Sequence, residues 1–311
     1  MIDVRSLAIP LAALTLLALT APALFAQPAA AQYMHELKHD GIDREALVLA
    51  PEDATPGAPI VLALHGATGS GARFAEARRD LIRLALQQGW TVAFPTGTDC
   101  LRGRGACWDD RDAPQTVARA DADDAGYLRA LVRALHARHE NDTTQVFVTG
   151  FSNGAGMAYR FAAEAPDLVA AAVAVGGTVG RTRERTDYDY AMTPPPTGPV
   201  AVLVVRGMDD DLMPYHGGVR PQGRFQVLAA EYDANFWAEA NGCDLAAVEK
   251  DGTSYLRDQR TDGVETHTYR ADCAAPVQLV GVGGLGHAWP TAADGFDGAA
   301  AAIDFFAQQI R

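Results

Sequence analysis

The chain has 311 residues, a formal net charge of −13 and 48% hydrophobic residues. This length and hydrophobic content are sufficient for one large α/β domain or two small ones with a buried core. The acidic balance argues against nucleic-acid binding, which requires basic surface patches.

The N-terminal segment has the pattern of an export signal. Arg5 precedes an uncharged, mostly apolar stretch from Leu7 to Ala26, and three alanines follow at 29–31. A charged start, an apolar core and a small-residue end are typical of a cleaved signal peptide. We predict a signal peptide over residues 1–31 and a mature chain over 32–311, with Ala26 as an alternative cleavage position.

An uncleaved membrane anchor is the competing interpretation, because about twenty apolar residues can span a bilayer. Pro10, Pro22 and the alanine-rich end of the segment favour cleavage over anchoring. We therefore predict a secreted or periplasmic protein that keeps no stable membrane anchor.

Four cysteines, Cys100, Cys107, Cys243 and Cys273, fit an exported protein. Outside the cytoplasm an even number of cysteines favours disulfides, and four cysteines allow three connectivities. The sequence alone does not choose between these, and we predict nearest-neighbour pairing. A zinc site is the weaker alternative because no C-x-x-C pair is present.

Apolar strands alternate with helical patterns along the rest of the chain. In chain order, strands are predicted at 59–66, 90–97, 143–150, 168–177, 199–207 and 275–284, and helices at 72–89, 123–139, 153–165, 221–242 and 299–310. Asp262-Gly263 predicts a hairpin between 253–259 and 264–270, and the proline-rich residues 194–199 predict a loop. The alternation predicts one α/β domain, with a mostly parallel sheet covered by helices on both faces.

The stretch GFSNGAGM, residues 150–157, places Ser152 between Gly150 and Gly154 with G-x-S-x-G spacing. A predicted strand precedes this serine and a predicted helix follows it. In a tight strand-to-helix turn the flanking positions require glycine, because larger side chains collide with the neighbouring strand and helix. This context predicts a nucleophilic serine. The alternative is that the Ser152 hydroxyl only caps the helix.

A nucleophilic serine requires a base, and the base requires an acid that orients it. His287 lies in a glycine-rich loop between the last predicted strand and the last predicted helix. His216 comes too early in the chain to follow an acid, and His267 is predicted to lie on the surface of a strand. We therefore predict His287 as the base.

The predicted acid follows the strand 199–207, where three consecutive aspartates, Asp209, Asp210 and Asp211, leave its position open. The predicted oxyanion donors are the backbone N–H groups of Asn153 and Ala67. Ala67 follows His65-Gly66 at the end of an early strand. His65 itself is predicted to make structural hydrogen bonds within that loop.

With these residues identified, the segments LHGATGSG, VFVTGFSNGAGMAYRFA, RGMDDDLMPYHGG and GLGHAWP resemble one known group. They resemble the polyhydroxybutyrate depolymerase and feruloyl esterase branch of the α/β-hydrolases, which includes the first carbohydrate esterase family. The resemblance runs from about Leu47 to the last helix. It implies a single-domain α/β-hydrolase fold.

The resemblance also implies roles for individual residues. The family's acid motif, laid on Gly207 to Tyr215, selects Asp210. Cys243 and Cys273 match a cysteine pair of the family, which supports their pairing. Trp289 matches a family tryptophan, and it either lines the acyl pocket or packs in the core.

Together these observations predict an exported serine carboxylic ester hydrolase that needs no metal and no organic cofactor. The expected substrates are soluble esters: feruloyl or acetyl groups on plant polysaccharides, or short hydroxyalkanoate oligomers. A polyester depolymerase is less expected, because no linker and surface-binding domain follow the catalytic region. A serine peptidase, an acyltransferase and a non-catalytic exported binding protein are competing interpretations.

Four charged residues near Trp108 have two interpretations. They either contribute to substrate recognition or belong to the disulfide loop, and we favour the loop. The residues are Arg102, Arg104, Asp109 and Asp110.

Overall fold

A computed structural model describes residues 29–100, 105–110, 122–182, 190–219, 226–251, 255–257 and 260–310. The predicted signal segment up to residue 28 lies outside these ranges, as do Arg102 and Arg104. No helix within the described residues has the length and apolar character required to cross a membrane.

Eighteen strands and six α-helices form the described part of the chain. The strands are β1 (Ala30–His39), β2 (Ile42–Pro51), β3 (Ile60–Leu64), β4 (Thr91–Pro95), β5 (Thr98–Asp99), β6 (Ala106–Cys107), β7 (Val146–Phe151), β8 (Val169–Val175), β9 (Gly180–Thr182), β10 (Tyr190–Met192), β11 (Ala201–Gly207), β12 (Gly218–Val219), β13 (Gln226–Val227), β14 (Glu249–Asp251), β15 (Tyr255–Arg257), β16 (Arg260–Asp262), β17 (Val264–Tyr269) and β18 (Val277–Val282). The helices are α1 (Gly71–Ala77), α2 (Arg79–Gln87), α3 (Asp124–His139), α4 (Asn153–Glu164), α5 (Ala230–Ala240) and α6 (Gly298–Ala307). Two 3₁₀ turns lie at Leu245–Ala247 and Ala292–Asp294.

A ten-stranded sheet with the order β1-β2-β4-β3-β7-β8-β11-β18-β17-β14 forms the centre of the molecule. Its inner strands from β4 to β18 run parallel, while β1, β2, β17 and β14 add antiparallel strands at the two sides. Strands β3, β8 and β11 are buried along their whole length, as expected for a sheet covered on both faces. The predicted mostly parallel architecture is confirmed.

Two separate apolar clusters fill the space on either side of the sheet. Helices α3, α4 and α5 pack on one face, where Leu128, Tyr159 and Trp237 are fully buried. Helices α1, α2 and α6 pack on the other face, where Leu81 and Phe306 are fully buried. The central strands therefore lie between two layers of helices, and their loops at one edge of the sheet remain free to form a site.

Three predicted elements differ from the structure. A single helix is predicted over 72–89, but the dihedral angles of Arg78 leave the helical region and separate α1 from α2. The helix predicted from residue 221 begins only at Ala230, because Gln226–Val227 pairs as a strand with β12 and β9. The remaining part of that prediction, 221–225, lies outside the described residues.

The predicted hairpin around Asp262-Gly263 is wrong in its pairing. Strand β15 pairs with β16, so that Tyr255 lies opposite Asp262 within one short hairpin. Strand β17 pairs instead with β18 and β14 in the central sheet. Gly263, with φ 94°, connects β16 to β17 rather than forming the hairpin turn.

His267 is not the surface residue that its strand position predicts. Its side chain is buried, and Nε2 is hydrogen-bonded to the carboxylate of Glu265. The reason is that His267 lies opposite Leu279 and on the same face of the sheet as Tyr269, and both of these side chains belong to the apolar cluster that α3, α4 and α5 cover.

Both disulfides join nearest neighbours, as predicted. Cys100 pairs with Cys107 and Cys243 pairs with Cys273, with Cα–Cα distances of 5.1 and 4.2 Å. The proline-rich residues 194–199 form a loop, also as predicted.

Candidate active site

Ser152 lies at a sharp turn between β7 and α4, at the carboxyl edge of the parallel strands. Its backbone has φ 56° and ψ −118°, a conformation that non-glycine residues rarely adopt and that costs on the order of 1–3 kcal/mol. Among the described residues, its hydroxyl makes no hydrogen bond that caps α4. The capping interpretation therefore lacks its defining contact.

The two glycines of the motif are required by close backbone contacts. A Cβ atom on Gly150 would lie 2.1 Å from the carbonyl oxygen of Gly154. A Cβ atom on Gly154 would lie 2.3 Å from the carbonyl oxygen of Leu64 and 2.5 Å from that of His65. Any side chain at either position would push α4 away from the sheet and release the strained serine.

A chain of hydrogen bonds connects Ser152, His287 and Asp210. His287 Nε2 lies 2.9 Å from Ser152 Oγ, and His287 Nδ1 lies 2.7 Å from Asp210 Oδ2. The three residues come from the loops after β7, β18 and β11, which end at the same edge of the sheet. This arrangement can transfer a proton from the serine to the histidine and stabilise the resulting imidazolium.

Asp210 differs from its two neighbours in burial. Its side chain is 1% exposed, whereas Asp209 and Asp211 are exposed residues. Its second oxygen, Oδ1, accepts hydrogen bonds from the backbone N–H groups of Leu212 and Met213, both at 2.7 Å. The carboxylate is therefore held by its own loop as well as by His287.

The histidine loop packs closely against neighbouring loops. A Cβ atom on Gly207 would lie 2.2 Å from the carbonyl oxygen of Leu285. The His287 ring lies 4.9 Å from the Phe151 ring, and Gly176, with φ 64°, leaves room beside the imidazole. The side chain is 15% exposed, so one part of the ring remains open to solvent.

The two predicted oxyanion donors lie on segments next to Ser152. Asn153 is the first residue of α4, where backbone N–H groups have no partner within the helix and the helix dipole favours a negative charge. Ala67 is exposed in the loop after β3, and a Cβ atom on its neighbour Gly66 would lie 3.5 Å from Ser152 Cβ. The oxyanion role of both amides stays a prediction.

The sequence also matches known proteins. Residues 44–192 match the family model described as "Esterase PHB depolymerase". This match spans just under half of the chain, and over those residues the chain resembles this esterase family.

Named esterases share moderate sequence identity with this chain. It is 30% identical over 253 residues to a protein of Nocardia uniformis subsp. tsuyamanensis provisionally named esterase NocK, covering 75% of this chain and 66% of that protein. It is 26% identical over 209 residues to feruloyl esterase B of Piromyces equi, covering 64% of this chain and 36% of that protein. The chain thus spans less than two thirds of the length of these relatives.

The fold of this chain matches a solved esterase structure. An acetyl xylan esterase from Aspergillus awamori superposes with a TM-score of 0.58 at 19% sequence identity. The match covers 88% of this chain and 99% of that structure. The fold is therefore that of an α/β-hydrolase, as the sequence resemblance implies.

Trp289, predicted either to line an acyl pocket or to pack, has packing contacts. It is 7% exposed, its ring lies 5.9 Å from that of Phe74, and the Arg78 guanidinium carbon lies 5.2 Å from the ring centre. These contacts belong to the apolar cluster of α1 and α6. A contact between Trp289 and the substrate stays a prediction.

His65 makes the structural contacts expected of it. Its Nδ1 is hydrogen-bonded to the carbonyl oxygen of Gly66 at 2.8 Å, and its Nε2 accepts a hydrogen bond from the Gly97 N–H at 3.0 Å. Burial lowers the pKa of His65 to about 4, so this histidine is neutral at ordinary pH.

Two parts of the site have no clear signal in the sequence. The side chain of Asn153 is buried and bonded to the backbone of Trp108, and Trp108 is fully buried beneath the Ala67 loop. An aromatic residue directly after a disulfide cysteine is the only hint that the sequence offers of this connection.

One group of potential metal ligands occurs within the described residues, formed by His39, Asp40 and Asp123. It contains none of the residues of the serine site. Asp123 already caps α3 by accepting a hydrogen bond from the Gly126 N–H. Both aspartates are exposed, as is common for acidic groups without a bound ion.

Proposed function

We propose that this protein is an exported serine esterase that hydrolyses soluble carboxylic esters. The observation that carries the proposal is the hydrogen-bonded chain from Ser152 through His287 to Asp210, with Ser152 on a strained turn. Resemblance to the esterase family supports the same reaction. No step of this reaction calls for a metal or an organic cofactor.

In the first half of the reaction Ser152 Oγ attacks the ester carbonyl carbon while His287 Nε2 takes the serine proton. Asp210 accepts the hydrogen bond from Nδ1–H, which holds the imidazole in the required tautomer and stabilises its positive charge. The tetrahedral oxyanion is bound by the Asn153 and Ala67 amides. His287 then donates its proton to the leaving alcohol, and an acyl-enzyme on Ser152 remains.

In the second half a water molecule takes the place of the alcohol. His287 removes a proton from this water, which attacks the acyl carbonyl and forms a second tetrahedral oxyanion. Collapse of this intermediate breaks the bond to Ser152 Oγ, which regains its proton from His287. The carboxylic acid leaves and the free enzyme returns.

The substrate class is proposed from the relatives. The names of the matched proteins specify feruloyl and acetylxylan esters. We therefore propose feruloyl or acetyl groups on plant polysaccharides, with short hydroxyalkanoate oligomers as the second candidate because the family model includes polyhydroxybutyrate depolymerases. The two disulfides fit an oxidising compartment and support export.

Steady-state hydrolysis by the purified protein tests this function. Methyl ferulate, acetylated xylo-oligosaccharide and a soluble hydroxybutyrate trimer are compared with a chromogenic peptide, and Ser152→Ala serves as the blank. We expect the esters to be hydrolysed and the variant to be inactive. Labelling of Ser152 by a fluorophosphonate separates a catalyst from a binding protein. Full esterase activity in Ser152→Ala would overturn the proposal, and preferential cleavage of the peptide would indicate a peptidase.

A further inference from the structure

The segment Gly105–Trp108, called the strap below, crosses over the loop that carries Ala67. The Ala106 N–H donates a hydrogen bond to the Gly69 carbonyl oxygen at 3.0 Å, which forms an isolated bridge between the two segments. Gly105 lies so close that a Cβ atom there would be 2.3 Å from the Thr68 carbonyl oxygen. Backbone contacts with the strap therefore fix the exposed residues of the Ala67 loop in place.

Trp108 holds the beginning of the same loop from inside the protein. Its indole Nε1–H donates a hydrogen bond to the His65 carbonyl oxygen at 2.9 Å. The two rings of Trp108 and His65 lie 5.1 Å apart, and Trp108 is completely buried. The strap thus contacts the beginning of the Ala67 loop through Trp108 and the end of that loop through Gly105 and Ala106.

The Asn153 side chain joins the strap to the other side of the site. Its Oδ1 accepts a hydrogen bond from the Trp108 N–H at 2.8 Å, and its Nδ2 donates to the Trp108 carbonyl oxygen at 3.0 Å. Nδ2 also donates to Asp110 Oδ2 at 2.7 Å. Asn153 therefore carries a proposed oxyanion amide on its backbone and fixes the strap with its side chain.

The far side of the strap is anchored to rigid parts of the fold. The Cys100–Cys107 disulfide closes it, and the Asp109 N–H donates to Asp124 Oδ2 at 2.7 Å in the first turn of α3. The buried Arg160 of α4 lies 3.3 Å from the Asp109 carboxylate. The strap is thus fixed to α3 and α4 on one side and bonded to the Ala67 loop on the other, so it connects the two helices to this loop.

We propose that Asn153, through its side chain, and Trp108 are positioning residues that keep the two oxyanion amides at a fixed separation. This inference rests on the esterase function proposed above. An oxyanion hole acts only if both donors lie about 2.7–3.1 Å from the developing charge. The Asn153 amide sits on a helix and the Ala67 amide on an exposed loop, so their separation depends on the link between them. The strap, bonded to the Asn153 side chain at one end and to the Ala67 loop at the other, is that link.

Asparagine suits this position because its amide offers one acceptor and two donors. The acceptor matches the Trp108 N–H, and the two donors match the Trp108 carbonyl and the Asp110 carboxylate. Aspartate would place a second carboxylate against Asp110, and alanine would remove the side-chain partner of both Trp108 backbone groups together with one hydrogen bond to Asp110. Neither replacement alters the backbone N–H that is proposed to bind the oxyanion.

Asn241 offers a matched control at the opposite edge of the sheet. Its Oδ1 accepts from the Val200 N–H at 3.1 Å, and its Nδ2 donates to the carbonyl oxygens of Val200 and Ala275 at 2.8 and 3.0 Å. Both asparagines are buried, and each makes the same reciprocal pair of bonds with one residue. They differ in their partners, because the Asn241 side chain is bonded to Val200 and Ala275 at the edge of the sheet that lies opposite Ser152.

The test compares Asn153→Ala, Trp108→Phe and Asn241→Ala with the unchanged protein and Ser152→Ala. The readouts are kcat and KM for p-nitrophenyl acetate, the inhibition constant of 1,1,1-trifluoro-4-phenylbutan-2-one, and the urea midpoint of unfolding. Misplacing one oxyanion donor should lower kcat of Asn153→Ala by about 10-fold to 100-fold. KM should change little, and the inhibition constant of the ketone should rise in parallel because the ketone forms a tetrahedral oxyanion on the serine.

The control separates positioning from general destabilisation. Asn241→Ala should lower the urea midpoint to a similar extent but leave kcat and the inhibition constant unchanged. If Asn153→Ala keeps both kinetic values, or if Asn241→Ala loses the same fraction of kcat, the inference is wrong. If Asn153→Ala does not fold, Trp108→Phe decides: it should show the same parallel change in smaller measure, and unchanged values overturn the inference. Activity retained in Ser152→Ala would instead overturn the esterase function itself.

Discussion

The carboxyl and amino edges of the central sheet are each stabilised by a buried asparagine and a disulfide. At the carboxyl edge Asn153 pairs with Trp108 beside the Cys100–Cys107 disulfide. At the amino edge Asn241 pairs with Val200 just before β11, and the Cys243–Cys273 disulfide follows. The two regions make similar hydrogen bonds and disulfides. The effect of losing these contacts should differ, because the two regions stabilise different backbone conformations.

The difference lies in the backbone that each region stabilises. Asn241 has ordinary right-handed helical angles, φ −84° and ψ 0°, at the end of α5. The carboxyl edge holds Ser152 at φ 56°, where the surrounding contacts must maintain a strained conformation. Losing a hydrogen bond at the amino edge should therefore cost stability alone, whereas the same loss at the carboxyl edge should also disturb the geometry of the site.

Replacing the buried aspartate should have the largest effect at the carboxyl edge. Asp210→Asn keeps the side-chain shape but removes the charge that orients His287, and we expect kcat to fall by about 10⁴-fold. Asp209→Asn and Asp211→Asn, in exposed side chains of the same loop, should leave kcat nearly unchanged. Ester hydrolysis rates of the three variants check this. An equal loss in all three would contradict the assignment of Asp210.

Removing the two disulfides one at a time should affect stability and activity differently. Their sequence separations of 30 and 7 residues predict that loss of Cys243–Cys273 costs about 3.7 kcal/mol and loss of Cys100–Cys107 about 2.5 kcal/mol. The double replacements Cys243→Ser/Cys273→Ser and Cys100→Ser/Cys107→Ser are compared by urea unfolding and by kcat under native conditions. The first pair should be the less stable, and the second pair the less active. The opposite order of activities would refute a role of the strap in the site.

The carboxyl edge should also be the more sensitive to acid. Because burial lowers the pKa of His65 to about 4 from an ordinary value of 6.5, the unfolded chain binds a proton in this interval and the folded chain does not. The stability contribution is complete above pH 6.5 and is lost as the pH falls to 4, by about 3 kcal/mol. His65→Gln should reduce this loss in urea unfolding at pH 7 and pH 4, while Asn241→Ala should keep it. An unchanged pH dependence in His65→Gln would show that His65 titrates normally.

A comparison of two buried tryptophans gives the smallest expected effect. Trp108 Nε1–H donates to the His65 carbonyl oxygen, whereas Trp237 Nε1 in α5 has no hydrogen-bond partner among the described residues. Both Trp108→Phe and Trp237→Phe lose ring volume, but only the first leaves a buried carbonyl oxygen unpaired, at a cost of about 1–2 kcal/mol. Trp108→Phe should therefore have the lower free energy of unfolding. Equal values would mean that the indole hydrogen bond contributes nothing.

Local patterns in the sequence were sufficient to predict the serine turn and the histidine loop. The glycines at 150 and 154 carry a steric requirement that is local to the turn, and the structure meets it with backbone contacts as short as 2.1 Å. His287 is identifiable because it lies between the last strand and the last helix. Both predictions depend on neighbours in sequence, where spacing and side-chain size are directly readable.

Elements whose partners lie far away in the chain were harder to predict. The start of α5 was misplaced because Gln226–Val227 pairs with β9, and the hairpin was misassigned because β17 finds its partners in the central sheet. The surface position predicted for His267 was wrong because this residue lies opposite Leu279 on a face of the sheet that helices cover. Strand pairing depends on which segments meet in the fold, and a propensity for extended backbone does not specify the partner.

The sequence by itself determined the fold class, the serine turn and the position of His287 in the loop after the last strand. It did not choose between the three possible cysteine connectivities, and the structure shows that each cysteine pairs with its nearest neighbour. It left three consecutive aspartates open until the family resemblance selected Asp210, and only the tertiary structure buries that carboxylate and exposes the two beside it. The link from Asn153 to Trp108 also exists only in the tertiary structure, because it joins residues 45 positions apart. Hydrogen bonds of this kind depend on how α4 and the strap pack together, and neither segment alone contains that information.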